Sequence, residues 1–131
     1  MTRRVTGIFE VTLVPQQDGP DVGDAMIGRL SIDKRYHGAL EGVAKGQMLG
    51  VRTVVKGSAG YVAMERVVGA LEGRKGTFVL QHSSTMDRGG ARQSITVVPD
   101  SGTEGLEGLA GSLTISVEAG KHSYSFEFTL P

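Results

Sequence analysis

Two residues carry most of the chemical interest in this sequence, Glu65 and His82. A carboxylate and an imidazole held together can act as a general acid/base couple. In a mostly dry cavity they can also polarise a bound carbonyl or hydroxyl. The segment Glu72-Gly73-Arg74-Lys75 is what would bring them together. With Gly73-Arg74 as a two-residue type II′ loop, residue 72 opposes 75 and Glu65 opposes His82. Directly opposed residues on one face lie ~4.5–5.5 Å apart at Cβ, close enough to hydrogen-bond. The same register sets Gly69 under Phe78, an aromatic-over-glycine pair.

The face that carries Glu65 reads Leu71, Gly69, Val67, Glu65, Ala63, Tyr61, and its partner reads Gly76, Phe78, Leu80, His82, Ser84, Met86. It is more apolar than the opposite face and is expected to point inward. Burial raises a carboxyl pKa, and a protonated imidazole beside it lowers the pKa again. Such a pair can equally be satisfied structure with no chemistry. The cost of burying a carboxylate keeps the functional reading in play. Tyr61, Tyr36 and Tyr124 are further inward candidates, as hydrogen-bond donors to a ligand or as core residues with the hydroxyl at the rim. Around the Glu65–His82 pair, Tyr61, Leu80, Phe78, Tyr124 and Phe126 are the candidate ligand-binding set. His122 is expected at a rim, and His37 in solvent beside a turn.

Several chemistries are excluded or disfavoured. The chain has no cysteine, which removes disulfides, thiolate nucleophiles and cysteine-ligated metals. Its three histidines sit on separate strands or turns without zinc-type spacing, so neither metal nor cofactor is expected. Gly105-Leu106-Glu107-Gly108-Leu109-Ala110-Gly111 matches neither a dinucleotide fingerprint nor a phosphate loop. It reads as a turn packing Leu106 and Leu109 under a barrel end. Arg88-Gly89-Gly90-Ala91-Arg92 reads as a basic loop with no aromatic for base stacking. The 14 basic and 14 acidic residues cancel, so no nucleic-acid or membrane surface is expected.

The elements that must position the pair are strands. Period-2 alternation recurs near 4–14, 25–36, 39–49, 60–72, 75–86, 93–98, 111–118 and 121–130. Gly, 20 of 131 residues, punctuates the runs. Gln16–Gly23 and Asp100–Gly105 read as loops. A second hairpin is registered by Ala119-Gly120: Glu118 faces Lys121, Val117 faces His122, Ile115 faces Tyr124 and Leu113 faces Phe126. A third turn at His37-Gly38 would set Lys34 opposite Glu41, Ile32 opposite Val43 and Leu30 opposite Lys45. The last pair mixes apolar and charged residues, which marks this register for displacement by a bulge. The chain length suits one domain, 1–131, built as an all-β barrel or sandwich. No apolar run approaches the ~18 residues of a membrane span, and no signal peptide is read, so a cytoplasmic protein is expected.

Four segments resemble a bacterial family known only as domain of unknown function 3224. They are Gly57-Ser58-Ala59-Gly60-Tyr61-Val62-Ala63-Met64-Glu65-Arg66-Val67, Gly73–Ser83, Val97–Thr103 and Lys121–Phe126. The turn Ser101–Gly111 is similar to the G-T-x-x-F/L-x-G-x-x-G turn of allene oxide cyclases and plant dirigent proteins. The resemblance implies an eight-stranded antiparallel closed barrel with a central cavity. It also implies relatives that guide cyclisation or coupling of small apolar molecules, often as oligomers. The cysteine of the plant cyclase cavity has no counterpart here, and no catalytic set carries over.

The function expected is binding of a small, largely apolar molecule in the barrel. The alternative is an isomerase or cyclase using Glu65 and His82; there, Glu65→Gln would abolish turnover and spare the fold, whereas a change that mainly lowers stability would mark the pair as structural. A third reading is a homo-oligomer, dimer or trimer, without ligand. It would associate through the outer face of Val62, Met64, Val68, Ala70 and Val79.

Overall fold

The computed structural model describes residues 2–17, 23–24 and 26–131. Eight antiparallel strands close into one barrel in chain order. They are β1 (Arg3–Gln16), β2 (Gly28–Gly38), β3 (Leu40–Arg52), β4 (Ala59–Leu71), β5 (Arg74–Asp87), β6 (Gly90–Val97), β7 (Ala110–Glu118) and β8 (Lys121–Thr129). Closure comes from β1 on β8, from Arg3 opposite Phe128 to Phe9 opposite His122. The loop expected over Gln16–Gly23, and the start of the second strand at position 25, lie largely outside the described residues.

Side-chain alternation makes these strands one-sided. In β8, Tyr124, Phe126 and Phe128 are buried while Lys121 and Thr129 are exposed. The apolar residues face the barrel axis. Asp33, Arg35, Lys45 and Arg66 face out, the reverse of a lipid-facing barrel. Among the described residues no helix is long and apolar enough to cross a membrane.

Three hairpins share one turn chemistry. Glu72-Gly73, Arg88-Gly89 and Ala119-Gly120 all have both residues at positive φ. This is the type I′ geometry that matches the strand twist, with glycine second. Ala119-Gly120 gives the expected register from Glu118 opposite Lys121 to Leu113 opposite Phe126. The other hairpin differs from expectation. Its loop is Glu72-Gly73 and not Gly73-Arg74, so Leu71 opposes Arg74, Glu65 opposes Leu80 and Ala63 opposes His82. Gly69 faces Gly76, and Phe78 faces Val67. The slip is two residues in pairing, an even number, so the inward face is unchanged. The basic loop expected over Arg88–Arg92 shrinks to the Arg88-Gly89 turn, with Asp87 opposite Gly90.

The β2–β3 register is displaced by three. Lys34 faces Ala44, Ile32 faces Gly46 and Leu30 faces Met48, not Glu41, Val43 and Lys45. An odd displacement inverts β3 relative to β2, so Ala44, Gly46 and Met48 share the face of Lys34, and Glu41 and Lys45 turn outward. Beyond Tyr36–Gly42 the two strands separate, and each continues on its other neighbour. The Tyr124 hydroxyl fills that corner. It accepts from the Leu40 N–H at 3.1 Å and donates towards the His37 or Leu40 carbonyl, at 2.9 and 3.1 Å.

The barrel is closed at one end. Leu40, Leu71, Leu106, Leu109, Phe78 and Phe126 are all buried there in one apolar cluster. A 3-10 turn, Glu104–Leu106, delivers Leu106 and Leu109 beneath the strands, as the sequence predicts. The approach to it is stitched to β5: Ser101 Oγ accepts from Val79 N–H and Thr103 Oγ1 from Thr77 N–H, both at 3.1 Å. Gly102 permits this close approach, since a Cβ there would lie 1.9 Å from the Leu106 carbonyl oxygen.

Candidate functional site

The site lies across the middle of the barrel, where the apolar plug ends. Glu65 on β4 points to the axis and is fully buried. Its partners come from two directions. His82 on β5 is the diagonal neighbour, two positions beyond Leu80. Lys34 and Tyr36 lie two strands away on β2. Glu65 reaches them because β3 carries only small residues at the crossing: Ala44 opposite Lys34 and Gly46 opposite Glu65. A Cβ at Gly46 would lie 1.9 Å from the Met64 carbonyl oxygen, so β3 and β4 close in on each other there.

One carboxylate gathers all three groups. Lys34 Nζ donates to Glu65 Oε2 at 2.7 Å, and His82 Nε2 meets the same oxygen at 2.6 Å. The Tyr36 hydroxyl donates to Glu65 Oε1 and accepts from Lys34 Nζ at 3.3 Å. The Lys34 ammonium also stands 4.9 Å from the centre of the Phe9 ring and 5.3 Å from that of Tyr36, a favourable placement for a desolvated cation.

Burial pushes the Glu65 carboxyl pKa up, but the His82 hydrogen bond and the Lys34 charge outweigh it and hold the pKa down at about 2. Glu65 is therefore a carboxylate at any ordinary pH. Tyr36 moves the other way: burial first, then the adjacent Glu65 charge, raise its phenol well above the ordinary value. An ionised carboxylate only accepts hydrogen bonds, so His82 Nε2 must carry a proton. The other nitrogen, Nδ1, has no hydrogen-bond partner among the described residues. No fully buried side-chain nitrogen or oxygen among them lacks one, so Nδ1 is not fully enclosed.

Lys34 and His82 border a cavity of about 240 Å³ on the open side of the network. Its walls are mainly apolar, from Phe9, Val11, Ile32, Met48, Ala63 and Ile115, with Lys34, His82, Tyr61 and His122 as the polar groups. It shares Leu13, Met48 and Tyr61 with a hollow of about 410 Å³ bounded by Leu30, Arg52 and Met86. Glu65 does not line the cavity; it lies beneath the floor formed by Lys34 and His82.

Of the ligand-contact residues expected from sequence, Tyr61 lines the cavity. Leu80, Phe78, Tyr124 and Phe126 do not, and pack into the buried cluster instead. His122 stands at the cavity wall against Phe9, ring centres 5.2 Å apart. His37 is only part-exposed and pairs with Glu10 at 2.8 Å, which raises its pKa. No group of histidines and carboxylates able to hold a metal occurs among the described residues.

A family model described as protein of unknown function (DUF3224) matches residues 5–128. The chain belongs to the DUF3224 family. It is similar to a solved structure from that family, a protein with unknown function from Shewanella oneidensis MR-1. The two share 45% identity over 100% of this chain and 99% of that one, with a TM-score of 0.90. No curated protein matches.

In this DUF3224 barrel, sequence reasoning missed Lys34 as a member of the site. The signal was present. Leu30, Ile32, Lys34 and Tyr36 alternate on one face of β2, and a lysine in an otherwise apolar row asks for a buried partner.

Proposed function

We propose that this protein binds a small, largely apolar molecule in the open-end cavity, with the molecule's polar group against Lys34 and His82. One observation carries the reading: a mainly apolar cavity of about 240 Å³ whose floor is two buried polar side chains. A cavity of ~150 Å³ lined by hydrocarbon side chains already admits benzene, so a ring with a short chain fits. The resemblance of the turn Ser101–Gly111 to allene oxide cyclases and dirigent proteins supports the same idea, a barrel that shapes an apolar guest.

Native mass spectrometry of freshly purified protein, followed by organic extraction, tests it. The expected result is an extra mass released on unfolding, lost in Ala63→Phe, which fills the cavity. The reading falls if nothing co-purifies and acetylcyclohexane shifts no cavity resonance in NMR.

A second reading, an isomerase or cyclase, rests on the His82–Glu65 pairing with Nδ1 left open to the cavity. Glu65 would orient and charge-balance the imidazole beneath the floor, and His82 would exchange the proton with the guest. Compounds extracted from the native protein and from His82→Gln would then be isomers; identical compounds speak for binding alone.

A further inference from the structure

The cavity floor defines the chemical class of its guest. We propose that the guest is uncharged and carries one oxygen function, a carbonyl or hydroxyl, seated on Lys34 and His82, and that acids are rejected. This rests on the binding reading above.

The hydrogen-bond inventory leads there. Lys34 has three N–H donors. One goes to Glu65 and one to the Tyr36 hydroxyl; the third has no polar partner among the described residues, and Lys34 lines the cavity, so a guest oxygen can take it. His82 spends Nε2 on Glu65 and leaves Nδ1 open, an acceptor in the neutral ring. With the His82 ring neutral, the floor offers one donor and one acceptor.

Charge decides between classes of oxygen. Lys34 and Glu65 are a matched pair, 2.7 Å apart and both buried. A carboxylate seated on Lys34 would be the second anion on one ammonium, close to Glu65 in a poorly screened interior. It would also lose its own hydration without a new counter-charge. An ammonium guest would face Lys34 itself. An uncharged oxygen needs only the spare donor, and a hydroxyl can also give its proton to Nδ1. The remaining walls, Phe9, Val11, Ile32 and Met48 among them, suit hydrocarbon.

Three probes of nearly one shape separate the possibilities: acetylcyclohexane, cyclohexanecarboxylate and isopropylcyclohexane. Each is titrated at pH 7 into extracted protein, following cavity amides and the His82 ring nitrogens by NMR. The ketone is expected to bind about tenfold tighter than either of the others, the scale of one net hydrogen bond. Equal or tighter binding of the carboxylate overturns the assignment and leaves the cavity reading standing. If none of the three perturbs the cavity, the assignment falls, and the binding reading falls with it when nothing co-purifies. The double variant Lys34→Met/Glu65→Gln, which leaves no unpaired buried charge, is expected to keep hydrocarbon binding and lose the ketone preference. A ketone preference that survives it overturns Lys34 as the donor.

Discussion

Glu65→Gln should be among the most damaging single changes in this barrel, although it alters shape very little. The carboxylate is the common acceptor for Lys34, Tyr36 and His82. With a neutral amide in its place, the Lys34 ammonium stays buried without a counter-ion. Breaking a buried pair from one side typically costs ~3–5 kcal/mol. A second route gives a similar figure. The Glu65 pKa falls from 4.5 to about 2 on folding, which at 1.36 kcal/mol per unit is about 3 kcal/mol. The sign follows from which state binds the proton. As pH falls, the unfolded chain takes up its proton first, near 4.5, while folded Glu65 resists until about 2. The contribution is thus complete above the unfolded value and is lost as pH drops through the folded one. Urea unfolding of both proteins across pH 7 to 2 measures it. The stability difference between them should be ~3–5 kcal/mol at pH 7, and should shrink by about 3 kcal/mol between pH 5 and 2. A difference under 1 kcal/mol at pH 7, or one that does not change with pH, would refute the account of Glu65 as the charged hub.

Two further expectations concern the closed end and the outer face. Tyr124→Phe removes the hydroxyl that serves the Leu40 N–H and leaves that group buried, at a cost of ~1–3 kcal/mol; an unchanged urea midpoint contradicts the corner role. Val62, Met64 and Val68 on the outside of β4 are 51%, 50% and 44% exposed, an apolar row interrupted by Arg66 and suited to self-association. Light scattering should give a dimer or trimer, and Val62→Lys/Met64→Lys a monomer; a monomeric native protein removes the expectation.

The parts legible from sequence are those governed by local rules. In β8, His122, Tyr124, Phe126 and Phe128 alternate with Ser123, Ser125 and Glu127, so pleating alone sorts them. The X-Gly turn at Ala119-Gly120 fixed the β7–β8 register. The same rule applied to Glu72-Gly73 would have fixed β4–β5; placing glycine first caused the slip. Glu65 and His82 meet even so, because a two-residue slip exchanges direct neighbours for diagonal ones on the same face. Lys34 was missed for a different cause. Its alternation with Leu30, Ile32 and Tyr36 marks it as inward, but its partner Glu65 lies two strands away on β4, and the β2–β3 register that brings small residues between them is not set by a local turn.

The polar layer also poses a question of cost. Below it the barrel is shut by leucine and phenylalanine side chains packed in one cluster. Hydrocarbon at positions 34, 65 and 82 could continue that plug upward without desolvating any charge. Replacing a buried ion network with apolar residues is often neutral or stabilising. Stability alone therefore does not account for Lys34, Glu65 and His82. Their arrangement adds to the point. The charge that needs most support, Glu65, is at the bottom with every partner provided, while Lys34 and His82 also line the cavity. On the binding reading proposed above, a polar atom of the guest would complete on the open side what Glu65 completes towards the core.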